Sequence, residues 1–469
     1  MRGTILLFCG AAAAFLALVP GAHAGGPQLL LGATEDAVRA PTLVGAKAQM
    51  DLLTLAGFRG VRITQVWTPG RQELSGADKT ILQNVATAAK LDHVTVVTTI
   101  MSKGSATTPL TDADQADFAA YAASVVAAVP DLQTVIIGNE PNLNRYWLPQ
   151  FAEDGSDAAA AAYESLLAKT YDAVKAQAPS VTVLGGAVSP RGGDVAGTIR
   201  PTHSPTAFIR DLGQAWRASG RTTPIMDGFA FHPYEDNSSV APAEGIHPNT
   251  TTIAVADYSK LVDLLGQAFG DYRMPIWYDE FGVESQLPTP EQPLYTGTEP
   301  VTTKPVDEST QAEYYEQAVQ LAFCQPNVRG LFLFHTVDEK DLAAWQSGLY
   351  YADGTPKSSL LPVRLALDES RRGVVAQCNG LQLTVKPTVV VRRGRFTLTC
   401  DLDCSYVARL YRLPGRLLTS KRGLAIGAVP TAVPIRVPAK RGSYRLRLSA
   451  VATVNPGRAA LRLATLRRG

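Results

Sequence analysis

The chain has 469 residues, of which 46% are hydrophobic and 18% charged, with a formal net charge of +2. That length excludes one average domain and suggests two, and the composition is that of a soluble globular protein with material for a large core. The near-neutral total hides a division: residues 25–369 carry 23 Lys+Arg against 40 Asp+Glu, whereas residues 370–469 carry 20 against 2, so the balance turns from −17 to +18 at a predicted boundary.

In chain order, residues 1–24 have the marks of a signal peptide. Arg2 supplies the basic start, Ile5–Val19 the apolar run, and Ala22, His23 and Ala24 a small-residue cleavage site. The run is short for a membrane span, and no later stretch is apolar for long enough, which predicts a secreted protein without a membrane span. Strand and helix patterns then alternate. Strands are expected at Leu29–Gly32, Gly60–Val66, Val94–Ile100, Thr134–Ile137, Val181–Gly185, Asp227–Phe231, Ile276–Tyr278 and Gly330–Phe334. Helices fall between and after them, at 43–55, 79–91, 111–129, 158–178, 207–219, 258–269, 309–323 and 359–368. Thr111 before Asp112 and Asp114 is an N-cap followed by acids that suit the helix dipole.

Eight such units predict a closed (β/α)8 barrel, a TIM barrel, over residues 25–370. An open doubly wound sheet is the rival. It is disfavoured because no Gly-x-Gly-x-x-Gly turn follows the first strand and polar residues follow many strands rather than one switch point. Over residues 371–469 the pattern changes to period two, in Leu381–Val385, Phe396–Thr399, Tyr406–Tyr411, Tyr444–Leu448 and Ala460–Leu463. This predicts a small all-β, immunoglobulin-like sandwich with its arginines facing solvent. Cys9 leaves with the signal, so four cysteines remain in an oxidising compartment. Cys400 and Cys404 are expected to pair across their three-residue tip, and Cys324 with Cys378 to tie the two regions; the spacing matches no common zinc site.

The chain is organised around Thr134–Asn142. Thr134, Val135, Ile136 and Ile137 form a β-branched run that stops at Gly138, followed by Asn139, Glu140 and Pro141. Pro141 should end the ladder and hold Glu140 extended. A similar device recurs where Ile276–Tyr278 delivers Glu280. The strand ends of a barrel share one face, so Arg62 and Trp67 from the second strand, Asn139 and Glu140 from the fourth, His232 and Tyr234 from the sixth, and Glu280 from the seventh should meet there. Two opposed carboxylates are the minimum equipment for breaking a glycosidic bond, and aromatic faces can stack on sugar rings.

Asn139-Glu140-Pro141 after the fourth strand, with Glu280 in Asp279-Glu280-Phe281-Gly282 after the seventh, resembles the clan A glycoside hydrolases, the (β/α)8 retaining glycosidases that include cellulases, β-xylosidases, mannanases and β-glucuronidases. Phe231-His232-Pro233-Tyr234 and the stretch from Gly348 to Lys357 are similar to the family's sixth strand and to its segment after the eighth. The likeness covers about residues 27–370. It implies Glu140 as general acid/base, Glu280 as nucleophile, Asn139 on the sugar 2-hydroxyl, and Tyr234 and Arg62 holding Glu280 ionised, with His232 on substrate or on Glu140. Many members place a Trp at the tip of the eighth strand, where this chain has Phe334, His335 and Thr336; Trp345 lies downstream as the alternative platform. The expected partner is a β-linked carbohydrate, hydrolysed by a monomer without metal or cofactor. A non-catalytic carbohydrate-binding protein on the same barrel is the alternative, as is an inverting or transglycosylating variant. The basic region could dock on the acidic barrel, the default for opposite charges in one chain, or bind an anionic wall polymer, or be a spacer. It has no aromatic-plus-basic motif for nucleic acid.

Overall fold

The computed structural model describes residues 25–375, 378, 385–454, 457 and 459–468. The expected signal at 1–24 and most of the run at 381–385 lie outside the described residues. Eight parallel strands close in sequence order: β1 (Leu30–Thr34), β2 (Gly60–Trp67), β3 (Thr95–Ser102), β4 (Thr134–Ile137), β5 (Thr182–Val188), β6 (Gly228–Phe231), β7 (Ile276–Phe281) and β8 (Val328–Phe334). Closure is made by β1 against β8, with Leu30 opposite Gly330 and Thr34 opposite Phe334. The helices are α1 (Leu43–Leu55), α2 (Gly76–Asp92), α3 (Asp112–Ala128), α4 (Ala158–Gln177), α5 (Pro205–Ala218), α6 (Tyr258–Phe269), α7 (Glu308–Phe323) and α8 (Leu360–Arg372).

Local sequence explains where the helices start. Thr42, Ser75, Thr111, Asp157, Ser204 and Asp307 each accept a hydrogen bond from a first-turn amide, satisfying a donor the helix itself leaves open. Pro205 occupies the first turn of α5, where its missing N–H costs nothing. Between strands and helices lies one large apolar layer, and inside the ring a smaller one of Val97, Ile136, Leu184, Ala187, Ala230 and Phe332. The Phe332 ring fills the lumen because Gly32 and Gly60 opposite it have no side chain; a Cβ on Gly32 would lie 2.6 Å from that ring.

Beyond the barrel, β9 (Thr388–Arg392), β10 (Arg395–Thr399) and β13 (Thr431–Arg436) form one antiparallel sheet. A second runs β12 (Arg416–Ala425), β11 (Cys404–Arg412), β14 (Gly442–Ala452), β15 (Ala460–Arg468). Phe396, Leu398, Val433 and Ile435 of the first sheet share a core with Tyr406, Leu410, Tyr444, Leu446 and Leu448 of the second. Docking by opposite charges, the default from sequence, is corrected here. Phe323 at the end of α7 enters this second core, Cys324 is bonded to Cys378, and Arg372 pairs with Asp403 at 2.8 Å. Among the described residues the junction therefore rests on apolar packing, one covalent tie and one ion pair, and most of the arginines stay on the outside. Cys400 and Cys404 are also bonded. Among the described residues no helix is long and apolar enough to cross a membrane.

Candidate active site

The strand tips place the polar residues at one mouth of the barrel, around a cleft of about 740 Å³. Arg62 is 2% exposed and bonded to Glu280, which lines the cleft. Its Nε–H donates to Thr99 Oγ1 at 2.7 Å and Nε lies 3.2 Å from Asp279 Oδ2, Nη1 donates to Glu280 Oε1 at 2.5 Å, and Nη2 donates to Asn139 Oδ1 at 2.9 Å. A planar guanidinium with fixed donors orients four partners at once, which an ammonium cannot do. Tyr234 donates its hydroxyl to the other oxygen of Glu280 at 3.0 Å. Glu280 is thus held by two donors.

His232 is fully buried between three carboxyl groups. Nδ1 lies 3.1 Å from Glu140 Oε1 and 3.5 Å from Glu280 Oε2, and Nε2 lies 3.3 Å from Asp279 Oδ2. Burial by itself would lower its pKa, but the charges of Glu280 and Asp279, with hydrogen bonds to Asp279 and Glu140, raise it to about 10. With carboxyl oxygens facing both ring nitrogens, the surroundings favour the protonated ring, whose two N–H groups would both donate. For Glu280, burial works toward a higher pKa, but His232, Arg62 and the Tyr234 hydroxyl outweigh it and leave it below the usual carboxylate value. Burial first, then Glu280 and Glu140, push the Tyr234 phenol well above its usual range, so it remains a donor.

Glu140 departs from the extended backbone expected before proline. Its φ is +41°, and its amide donates to the Ala187 carbonyl at 2.8 Å. The chain turns at Gly138, with φ +83°, and again at Glu140 before the loop carrying Tyr146, so the tip of β4 is folded back over the cleft. The contact with β5 overrides the local proline preference. Tyr146 forms part of the wall beside the two glutamates; burial, then their charges, raise it to about 12.

No protein-family model and no curated protein matches the chain. Among solved structures it is similar to a family 39 glycoside hydrolase from the gut symbiont Bacteroides cellulosilyticus, with a TM-score of 0.53 at 15% identity over 86% of this chain and 80% of that one. It is also similar to the glycoside hydrolase GH5_18 from Streptomyces cattleya in complex with GlcNAc, with a TM-score of 0.50 at 18% identity over 74% of this chain and 81% of that one. The fold is that of the clan A glycoside hydrolases.

Within this barrel, Glu140, Glu280, Asn139, Arg62, His232 and Tyr234 come together at their strand ends, and Trp345 joins them. Its ring lies 5.0 Å from Tyr234 and 5.3 Å from Phe334, and it lines the cleft although it is distant in sequence from the tip of β8. The Phe334–His335 peptide at that tip is cis. Trp67 does not join them. It is fully buried against Phe118 of α3, with its indole N–H on the Arg71 carbonyl, and the expectation that it contacts substrate is corrected. Residues 62 and 67 are five apart, so on one strand they face opposite sides. Asp279, in sequence an adjacent alternative to Glu280, takes a different place. It is fully buried and holds both His232 and Arg62; the β7–β8 register slips between Tyr278 and Phe281, so two successive acids reach the same mouth. Paired acids at a strand tip were the available signal. The two long loops after β6 and β7 supply Asp236, Asn237, Ser238, Pro300, Thr302 and Thr303 to the cleft wall. Among the described residues no cluster of His, Cys, Asp or Glu is arranged to hold a metal ion.

Proposed function

We propose that the protein is a retaining glycoside hydrolase acting on a β-linked glycoside or polysaccharide, with Glu280 as nucleophile and Glu140 as general acid/base. One observation carries the reading: both carboxylates lie within reach of the same nitrogen of His232. From the two contacts, 3.1 and 3.5 Å, the nearest oxygens of Glu140 and Glu280 are no more than about 6.6 Å apart. That bound sits at the bottom edge of the roughly 6.5–9.5 Å separation of inverting pairs and accommodates the roughly 5–5.5 Å of retaining ones.

The charges support the division of labour. Arg62 and protonated His232 balance Asp279 and an ionised Glu280, so the nucleophile is held as an anion inside a charge-balanced group. In the first step the Glu280 carboxylate attacks the anomeric carbon, the C–O bond to the leaving group breaks, and Glu140 gives its proton to the departing oxygen. Esterified Glu280 no longer carries charge. In the second step Glu140 takes a proton from water, the oxygen attacks the same carbon, and Glu280 departs as carboxylate. Asn139, fixed by Arg62, offers its amide N–H to the sugar 2-hydroxyl, and Trp345 with Tyr234 offers an aromatic wall. The chemistry requires neither metal nor cofactor.

The same proposal makes residues 1–24 a signal peptide, residues 25–370 the catalytic unit and residues 371–469 a separate β unit that binds an anionic polymer. The protein would act outside the cell as a monomer; two disulfides suit an oxidising compartment. The test is Glu140→Gln against Glu140→Ala with azide. The first should lose about 10²–10⁴-fold on unactivated glycosides, and azide should restore turnover of an activated aryl glycoside by the second, giving a glycosyl azide of retained configuration. Unchanged turnover in Glu140→Gln would remove that residue from the acid/base role.

A further inference from the structure

The outer face of the four-stranded sheet carries a diagonal of arginines. In the β-ladder Arg422 of β12 stands opposite Val407 of β11. One row along, Arg409 of β11 stands opposite Arg447 of β14. The next row holds Tyr411 opposite Arg445, and the one after it Ser443 of β14 opposite Arg467 of β15. Residues paired across a ladder share a face, and the alternate positions Tyr406, Ala408, Leu410, Leu446 and Leu448 are buried, so all five arginines project outward. Arg422, Arg445, Arg447 and Arg467 are exposed and Arg409 is half-buried.

Each step of the diagonal moves one strand, one row or both, for three strand steps and three two-residue rows in all. With strands ~4.8 Å apart and a rise of ~3.4 Å per residue, the stripe runs ~25 Å across all four strands. None of the five is in an ion pair among the described residues. The two acids of residues 370–469 are committed elsewhere, Asp403 to Arg372 and Asp401 to the Lys386 amide. We infer that this stripe binds a linear polysaccharide bearing carboxylate groups, laid diagonally across the sheet. A guanidinium matches a carboxylate with two parallel hydrogen bonds. Nucleic acid is the poorer fit, since the stripe has a single aromatic, Tyr411, where single strands need a series of stacking rings, and a flat sheet face inserts nothing into a groove. The inference concerns the β unit and does not depend on what the cleft hydrolyses.

The experiment uses the full-length protein and polygalacturonate, with neutral dextran and duplex DNA as comparators, at two salt concentrations. Arg409→Gln/Arg445→Gln/Arg447→Gln should weaken polygalacturonate binding at least tenfold and flatten its salt dependence. Arg392→Gln/Arg395→Gln/Arg436→Gln removes the same charge from the exposed outer face of the other sheet and should change it less than threefold. Single Arg447→Gln should show an intermediate loss and serves if the triple variant does not fold. Equal losses in both triple variants, absence of polygalacturonate binding, or tighter binding of DNA at equal anion concentration would overturn the assignment.

Discussion

Tyr234→Phe separates holding the nucleophile from building the cleft. The ring would keep its place beside Trp345, at 5.0 Å, and Phe281, at 6.5 Å, so only the hydroxyl that donates to Glu280 Oε2 at 3.0 Å is lost. A hydrogen bond to a charged group contributes about 1.5–3 kcal/mol, which is about 10- to 150-fold in a rate or equilibrium constant. The loss is unequal between the two steps. Glu280 loses charge as it attacks, so a donor on it stabilises the starting state and does little for glycosylation. It regains charge as it departs, so the same donor favours the transition state of deglycosylation. The variant should therefore slow deglycosylation by about 10- to 150-fold and accumulate glycosyl-enzyme, seen as a burst of aglycone from an activated aryl glycoside and as a mass increase on the intact protein. The Tyr234 hydroxyl also lowers the Glu280 pKa. Without it the acid limb of kcat/KM should move to higher pH by about one to two units. Wild-type kcat with an unmoved acid limb and no burst would refute the argument that this hydroxyl acts on a charged nucleophile.

Further outcomes follow from the same geometry. His232 is raised to about 10 in the folded protein against about 6.5 when unfolded, so its contribution is full below pH 6.5 and is lost as pH rises to about 10; the Tm advantage of the wild type over His232→Asn should shrink across that window, and a constant difference would count against a buried cation. Trp67→Ala should cost about 3–5 kcal/mol in urea unfolding with no selective rise in KM, whereas Trp345→Ala should raise KM for an oligosaccharide with little change in Tm. Replacing Cys324 and Cys378 by Ser opens a tie spanning 54 residues and should destabilise by about 4 kcal/mol on the chain-entropy model, read by calorimetry under non-reducing conditions.

Much of the barrel was legible because its strands are short apolar runs, β-branched in β3 and β4, and six of its helices begin at capping residues, two signals that need no tertiary context. Opposite pairs such as Leu30 with Gly330 then follow from closing the ring. The face shared by Glu140 and Glu280 was legible for the same reason, since parallel strands in a barrel all end on one side. The period-two pattern likewise exposed the arginines of the C-terminal sheets, although only the ladder register aligns Arg422, Arg409, Arg447, Arg445 and Arg467 in one stripe.

Contacts between distant segments decided the rest. The backbone of Glu140 is turned by its hydrogen bond to Ala187 on β5, against the preference set by Pro141. Asp279 enters the charge cluster because a register slip beside β8 brings it round with Glu280. Trp345 reaches the cleft on a loop after β8 that is closed on itself where the Gly348 amide donates to Asp338 Oδ1. Local sequence thus determined which elements form and which end of the ring carries the acids, because propensity, capping and strand direction act over a few residues. Which atoms meet at that end, and at what charge, was left to long-range packing, because burial and neighbouring charges exist only once the ring has closed.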